Sequence, residues 1–224
     1  MSRRAFAPAL IALALGILLA TSGHVTAGES QGSVSRDDLV AAVERGSGPA
    51  RGSADAPVFV VAFSDFQCGY CRRFWQETFP QIEERYIRTG KARLVHRHMA
   101  ILGEASVHAA QAAACADEQG KFWEYHDTLL RNTSAFAFSS ARLKQYAGDL
   151  GLDGKAFGAC VDSKRYAKQV EAETILGRAL GATGTPAFLL NGQLLIGAYP
   201  FATFQQALDG LLASPARRPP GQAR

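Results

Sequence analysis

The sequence predicts an α/β domain with mixed strand directions, into which an all-helical segment is inserted. An apolar run at 58–63 and a second predicted strand at 92–99 flank a stretch with helical periodicity, and this order predicts a βαβ unit. No comparable strand signal occurs between residues 103 and 181. An Asn191-Gly192 pair between two short apolar runs then predicts a β-hairpin.

The first strand and the helix after it are the strongest of these signals. Residues 58–63 are continuously apolar, which is typical of a central strand covered on both faces. The helix is predicted to begin near Cys68 and end near Gly90, and Pro80 is expected to kink it. Its apolar residues recur at intervals of four, three and four, at Trp75, Phe79, Ile82 and Tyr86. A right-handed crossover would then bring 92–99 parallel to the first strand.

The remaining elements follow from helical periodicity and from glycines that end helices. The predicted helices of the insertion are 104–118, 121–131, 140–150, 154–162 and 164–180. The hairpin strands are predicted at 187–190 and 193–196, and a last amphipathic helix at 201–212.

Residues 1–27 have the layout of an export signal. Arg3 and Arg4 precede an apolar run that is short for the roughly 20 residues of a membrane span, and small residues ending at Ala27 suit cleavage. The start also resembles a twin-arginine signal, so both the general and the twin-arginine export routes stay open. The expected location is the periplasm or the exterior.

The segments next to this signal and at the other end of the chain are expected to be simple. Residues 28–53 are predicted to be a leader with one short helix at 36–45, and residues 215–224 a disordered tail. The net charge of +4 falls by two once the signal is removed, and basic residues are scattered among acidic ones. No nucleic-acid partner is therefore indicated.

The pair Cys68 and Cys71 stands where the first strand gives way to a helix. At a helix start, unpaired backbone N–H groups and the positive dipole end favour a thiolate. Cys68 would attack a sulfur of a partner and Cys71, one turn further in, would resolve the mixed disulfide. A loop this small gains little from closure, which makes a purely stabilising bond a poor explanation.

Zinc binding is the main alternative for this pair. A closed zinc site usually needs a second close pair of ligands, whereas Cys115 and Cys160 stand singly. His96 and His98 share one face of a strand but lie outside any such pattern, and are interpreted as ordinary strand-end residues. Neither a metal nor a cofactor is predicted.

Three motifs carry a family resemblance. FSDFQCGYC, AAACADEQGKFWEYHDTLL and GATGTPAFLLNG, in this order, resemble the DsbA-like thiol:disulfide oxidoreductases, and within them the BdbD-type branch. The resemblance covers about residues 53–212. It implies a thioredoxin fold made of 54–102 and 182–214, with residues 103–181 as the inserted helical domain.

The resemblance also implies roles for individual residues. Cys68 matches the nucleophile and Cys71 the resolving cysteine, while Gly69 and Tyr70 lie between them. Thr185 and Pro186 match a loop whose proline is cis, faces the thiols and contributes to substrate binding. A further implication is a structural disulfide between Cys115 and Cys160, which export and an even cysteine count also favour.

Two positions before the cysteines bear on whether a buried acid lies near the thiols. Thioredoxins keep a buried acid six positions before the nucleophile, where this chain has Ala62. Asp65 is nearer, and the sequence leaves its exposure open. A proton relay is therefore not predicted. Tyr70, Phe66, Tyr199 and Phe201 are candidates for an apolar substrate groove, although such aromatics are as often core residues.

The direction of electron flow stays open among three functions. The leading interpretation is oxidation of reduced exported proteins by a monomer whose disulfide is restored by a membrane partner of the DsbB or VKOR type, with a DsbD-type redox partner as the alternative. Gly69-Tyr70 and Thr185 also resemble disulfide isomerases, so isomerase or reductase activity is the alternative. A non-catalytic chaperone that binds peptides on the same fold is the alternative from another class.

Overall fold

The computed structural model describes residues 35–132 and 136–214. The predicted export signal and tail lie outside these residues. The strands are β1 Ala50–Arg51, β2 Val58–Ser64, β3 Ala92–His98, β4 Ala187–Leu190 and β5 Gln193–Ile196. The helices are α1 Arg36–Arg45, α2 Gly69–Arg73, α3 Phe79–Ile82, α4 Glu104–Asp117, α5 Phe122–Arg131, α6 Ser140–Asp149, α7 Gly154–Asp162, α8 Ala167–Ala179 and α9 Phe201–Ala213.

These strands form one sheet in the order β1-β3-β2-β4-β5. β2 and β3 are parallel, which confirms the predicted βαβ unit, and the other pairs are antiparallel. The hairpin of β4 and β5 turns at Asn191 and Gly192, which both have positive φ. The Asn191 side chain also accepts a hydrogen bond from the Phe59 amide, so the turn is tied to the central strand.

One strand is absent from the sequence-based prediction. β1 adds antiparallel to the edge of β3, with Ala50 opposite Val95 and Arg51 opposite Leu94. Two residues are too few to show an alternating pattern, so this strand depends on its partner for recognition. The leader helix α1, by contrast, has the predicted bounds and starts with a capping box at Ser35.

The helical stretch 69–87 differs from a regular α-helix. One π-helical turn, Phe74–Thr78, lies between the short α-helical segments α2 and α3. A second, Glu83–Ile87, follows α3. Pro80, which was expected to kink this helix, lies in the first turn of α3 directly after a π-helical turn. A proline has no N–H to donate, so the change in hydrogen bonding falls where the sequence predicts an irregularity.

Five helices, α4–α8, lie between β3 and β4, as the fold-class prediction requires. A continuous apolar core joins one face of the sheet to these helices, with Phe74, Phe188 and Phe204 packed ring against ring at its centre. A second cluster on the opposite face packs Val61 and Phe63 against α1 and α8. Across the two described ranges, every helix is too short or too polar to cross a membrane.

Buried polar contacts fasten α1 to the sheet. The Arg97 guanidinium donates hydrogen bonds to the carbonyls of Val43, Gly46 and Ser47 near the end of α1. It also lies 3.8 Å from Glu173 in α8, whose other carboxylate oxygen accepts from the His98 amide. Cationic donors at a helix C-terminus satisfy carbonyls that lack helical partners.

Candidate active site

Cys68 caps the helix that carries Cys71. Cys68 is the N-cap of α2, with extended backbone angles, and its Sγ accepts a hydrogen bond from the Cys71 amide at 3.4 Å. Cys71 is fully buried one turn later, whereas Cys68 keeps 7% of its surface exposed. Both are free thiols. The outer sulfur is therefore the one that a visiting sulfur can reach first.

The loop before β4 brings Thr185 to the same point. β4 pairs with β2, with Ala187 opposite Phe63, so the residues just before β4 lie beside the end of β2. There Cys68 Sγ lies 3.2 Å from the Thr185 carbonyl oxygen, which accepts a hydrogen bond from Cys68 when this residue is protonated. The Thr185–Pro186 peptide bond is cis, as the family resemblance implies.

The surroundings of the two sulfurs push their acidities apart. The pKa of Cys68 is lowered to about 6, chiefly by a hydrogen bond from the Cys71 thiol, with the Thr185 side chain and the Cys71 and Tyr70 amides adding to it against an opposing effect of burial. Burial is the main cause that raises the pKa of Cys71 far above its ordinary range. At neutral pH the pair is thus a thiolate and a thiol, with the charge on Cys68.

Asp65, whose exposure the sequence left open, is buried in the structure. One carboxylate oxygen accepts from the Gln67 amide and the Ser106 hydroxyl, and the other from the amides of Ile101 and Leu102. Only 1% of its surface is exposed. Asp65 thereby joins the loop before Cys68 to the loop before α4, and its own amide donates to Cys71 Sγ at 3.5 Å.

The four aromatic candidates for a substrate groove separate into two groups. Tyr70 and Tyr199 are exposed, at 67% and 43% of their surfaces, and Gly69 is exposed beside Tyr70. Phe66 is buried and Phe201 half-buried, so Phe66 belongs to the core rather than to an open groove. Phe66 instead packs against the rings of three buried histidines.

The second cysteine pair lies in the helical insertion. Cys115 in α4 and Cys160 in α7 form a disulfide that closes a separation of 45 residues. Both residues are buried. This bond lies within the helices α4 and α7, whereas Cys68 and Cys71 lie at the end of β2, so the two pairs occupy different parts of the fold.

Sequence reasoning missed three polar residues near the active site, Ser64, His126 and Asp127. The Ser64 hydroxyl, at the end of β2, accepts a hydrogen bond from the Trp75 indole at 3.4 Å and weakly opposes the rise in the pKa of Cys71. His126 and Asp127 in α5 pair with each other at 2.9 Å behind this group. Ser64 and the His126–Asp127 pair are about 60 positions apart in the sequence, so no local pattern connects them. The alternation of His96 and His98 along a strand was the one visible signal, because His126 packs against His96.

A five-stranded sheet with a Cys-x-x-Cys pair at a helix start, facing a cis-proline loop, defines a protein of the thioredoxin-fold thiol:disulfide class. A family model described as thioredoxin matches residues 44–210. The chain therefore belongs to this family, and within it to the DsbA-like group.

Individual relatives carry two kinds of name. A probable disulfide bond formation protein D of Bacillus cereus is 30% identical over 70% of this chain and 76% of that protein. The Na(+)/H(+) antiporter NhaA 3 of Salinispora tropica is 32% identical over 93% of this chain but 31% of that protein. The chain thus spans only about a third of the length of this relative, and its name describes a much longer protein.

The crystal structure of oxidised BdbD from Bacillus subtilis has the same fold. The two superpose with a TM-score of 0.70 at 22% identity, and the alignment covers 75% of this chain and 94% of that one.

Proposed function

We propose that this chain is an exported thiol:disulfide oxidoreductase that introduces disulfides into reduced exported proteins through Cys68 and Cys71. The observation that carries the proposal is the asymmetry of the two sulfurs. Cys68 is reachable and its pKa is lowered to about 6, whereas Cys71 is sealed from solvent and its pKa is raised. This combination favours a good leaving group at the surface and a protected resolving thiol behind it.

In the oxidising direction, a substrate thiolate attacks Cys68 Sγ of the enzyme disulfide. The Cys68–Cys71 bond breaks, its electron pair stays on Cys71, and a mixed disulfide forms between substrate and Cys68. A second substrate thiolate then attacks the substrate sulfur of this bond. Cys68 leaves as a thiolate, which the amides at the start of α2 stabilise, and the substrate keeps the new disulfide.

Substrate binding is assigned to the residues that surround the reachable sulfur. Tyr70 and Gly69 present an exposed surface beside Cys68, and the Thr185-Pro186 loop lies on its other side. An extended chain placed between them would bring its cysteine against Cys68 and its backbone beside residue 185. Residues 54–102 and 182–214 would form this exchange domain, with 103–181 as its helical cover.

Export and a membrane redox partner complete the proposal. The Cys115–Cys160 disulfide fits an oxidising compartment, and the signal-like residues 1–27 fit secretion to it. After one oxidising turnover the enzyme holds two thiols, so a membrane partner of the DsbB or VKOR type must accept two electrons to restore the disulfide. In the isomerase or reductase direction, a partner of the DsbD type would instead supply electrons. We propose that the enzyme acts as a monomer.

Isomerase or reductase activity is the second candidate, because Thr185 and the Gly69-Tyr70 pair resemble such enzymes. The reduction potential of the Cys68–Cys71 pair in a glutathione buffer separates the two functions. A potential near about −120 mV supports a strong oxidant, and one near about −270 mV supports a reductant.

The test of exchange itself is Cys68→Ser. The variant is expected to lose oxidation of a reduced unfolded protein and reduction of insulin, while peptide binding is retained. If its oxidation rate equals that of the unaltered protein, the chain is a binding protein of the chaperone kind and the enzyme proposal fails.

A further inference from the structure

Asp65 contacts both cysteines of the dithiol through its backbone. Its N–H donates a hydrogen bond to Cys71 Sγ at 3.5 Å, and its carbonyl accepts one from the Cys68 amide at 3.1 Å. Both contacts follow from the place of Asp65 between the end of β2 and the start of α2. The position of this one peptide segment therefore decides whether a hydrogen-bond donor faces the sulfur of Cys71.

The side chain of Asp65 fixes that position by binding a different part of the chain. Oδ1 accepts hydrogen bonds from the Ser106 hydroxyl at 2.6 Å and the Gln67 amide at 2.8 Å. Oδ2 accepts from the amides of Ile101 and Leu102 at 2.8 and 3.1 Å. We call these four hydrogen bonds the Asp65 clamp. A carboxylate has about four acceptor sites, so the clamp occupies the side chain fully and ties the segment before Cys68 to the start of α4.

The Asp65 amide faces an atom that has to carry charge during exchange. In the oxidising direction the electron pair of the broken Cys68–Cys71 bond stays on Cys71 Sγ. Burial of this sulfur is the main cause that raises the pKa of Cys71, so a thiolate is costly there. The hydrogen bond from the Asp65 backbone opposes that effect. A donor that is already in place where charge develops lowers the barrier, as in an oxyanion hole.

We infer that the backbone amide of Asp65 stabilises the negative charge that forms on Cys71 during exchange, and that the Asp65 clamp holds the amide in place. The inference rests on the proposed function. The amide touches a reacting atom and keeps its proton throughout. The carboxylate is a positioning group, which acts through the amide and transfers no proton.

The step on which the amide acts balances without a proton. A substrate thiolate attacks Cys68 Sγ, a bond forms between these two sulfurs, and the Cys68–Cys71 bond breaks. The negative charge that the substrate brings thus moves to Cys71 Sγ, 3.5 Å from the Asp65 amide nitrogen. In the opposite direction the Cys71 thiolate attacks Cys68 Sγ, and the charge leaves on the substrate sulfur. The two directions share one transition state, so the amide should accelerate both.

Asp65→Asn is the variant that loosens the clamp with the smallest change of shape. Each carboxylate oxygen accepts from at least one backbone amide, so either orientation of the Asn side chain turns its NH2 group towards an N–H donor. Ser106→Ala removes one of the four donors and leaves the three amides in place. This second variant keeps the inference testable if Asp65→Asn does not fold.

Two control variants leave the clamp intact. Asp55→Asn makes the same chemical exchange at an exposed position before β2. Gly177→Ala adds a methyl group against the Phe63 ring, in the core cluster on the opposite face of the sheet from Cys71. It therefore reports the effect of lost stability alone.

Two reactions with glutathione separate the charge on Cys71 from the rest of the chemistry. In the first, oxidised protein is mixed with reduced glutathione, which attacks Cys68 and drives the electron pair onto Cys71. In the second, reduced protein is mixed with oxidised glutathione, so that Cys68 attacks and the electron pair leaves on glutathione. Samples are quenched with acid, and mass spectrometry gives the initial rate at which the Cys68–glutathione mixed disulfide appears. The first reaction is measured at several pH values, and its rate is divided by the concentration of glutathione thiolate.

We expect Asp65→Asn to slow the first reaction by at least about 10-fold and to leave the second unchanged. Loss of one donor from an oxyanion hole costs about 10²- to 10³-fold, and here the amide is displaced rather than removed. Ser106→Ala should slow the same reaction by a smaller factor. The deficit should be the same at every pH, because the step uses no proton of the protein. Both control variants should match the unaltered protein in both reactions.

Three results would overturn the inference. Equal deficits of Asp65→Asn in the two reactions, or an equal deficit in Gly177→Ala, would show that Asp65 only supports the fold. A deficit that changes with pH would assign the carboxylate to proton transfer instead. If Asp65→Asn does not fold, unchanged rates in Ser106→Ala are the third. A failure of the unaltered protein to form the mixed disulfide in either reaction would instead overturn the proposed function.

Discussion

Cys68 Sγ lies 3.2 Å from the carbonyl oxygen of Thr185, a residue 117 positions further along the chain. The contact exists because β4 pairs antiparallel with β2 and places the preceding loop over the start of α2. It brings the reachable sulfur and the backbone of a second loop to one point. The proposed exchange reaction and the proposed substrate contact therefore share one location, between the end of β2 and the start of β4.

The first prediction concerns the acidity of Cys68. The Cys71 thiol is the largest cause that lowers the pKa of Cys68 to about 6, so Cys71→Ala should raise that pKa. Titration of the thiolate ultraviolet absorbance measures it, with Cys68→Ser as the blank. An unchanged midpoint in Cys71→Ala would show that the backbone amides alone set the acidity.

The same shift makes the stability of the reduced protein depend on pH. A folded-state pKa below the unfolded value of about 8.5 stabilises the fold fully above that pH, and the contribution is lost as the pH falls through about 6. The free energy of unfolding of the reduced protein, minus that of Cys68→Ser, should therefore rise by on the order of 3 kcal/mol from about pH 5 to pH 8.5. Denaturant titration at several pH values measures it, and a flat difference would contradict the shift.

The disulfide of the helical insertion should stabilise the protein without taking part in exchange. By the chain-entropy model, closing 45 residues contributes about 3 to 4 kcal/mol, so the double variant Cys115→Ala/Cys160→Ala should lose that much. Its insulin-reduction rate at low temperature should stay within about 2-fold of the unaltered rate, since mutations at distant sites act independently. A lost activity in a folded double variant would assign this pair to the reaction.

Asp65 should contribute to stability through its four hydrogen bonds. Asp65→Asn turns a donor towards groups that are themselves donors, which should cost about 2 to 3 kcal/mol of unfolding free energy. Asp55→Asn, at an exposed position before β2, is the matched control and should change little. Equal stabilities of the two variants would contradict the assigned network.

Two helical glycines should respond in opposite ways to alanine. A Cβ at Gly177 in α8 would lie 3.0 Å from the Phe63 ring and 3.4 Å from the Met99 sulfur, so Gly177→Ala should destabilise by about 1 to 3 kcal/mol. Gly210 in α9 has open space, and Gly210→Ala should stabilise by about 0.5 to 1 kcal/mol. Thermal unfolding measures both, and two shifts of the same sign would contradict the packing of α8 on the sheet.

Much of this fold was predictable because its signals are local. Helical periodicity predicted the five helices of the insertion to within three residues at each end, and the Asn191-Gly192 turn predicted both strands of the hairpin. The order of strand and helix predicted Cys68 at a helix start with Cys71 one turn later, and the structure has Cys68 as the N-cap. Each of these properties is decided by neighbours in the chain.

Other features depend on residues that are far apart in sequence. Strand β1 is recognised through its pairing with the edge of β3, and three of the four donors to Asp65 come from one segment, 101–106, that lies 36 to 41 positions further along the chain. His96 and His98 were interpreted as ordinary strand-end residues, yet His126 from α5 closes a buried cluster around them. By itself the sequence determined the elements, the dithiol and its helix start. Only the tertiary structure decided which polar groups lose their water, because burial and pairing depend on the whole set of packed neighbours.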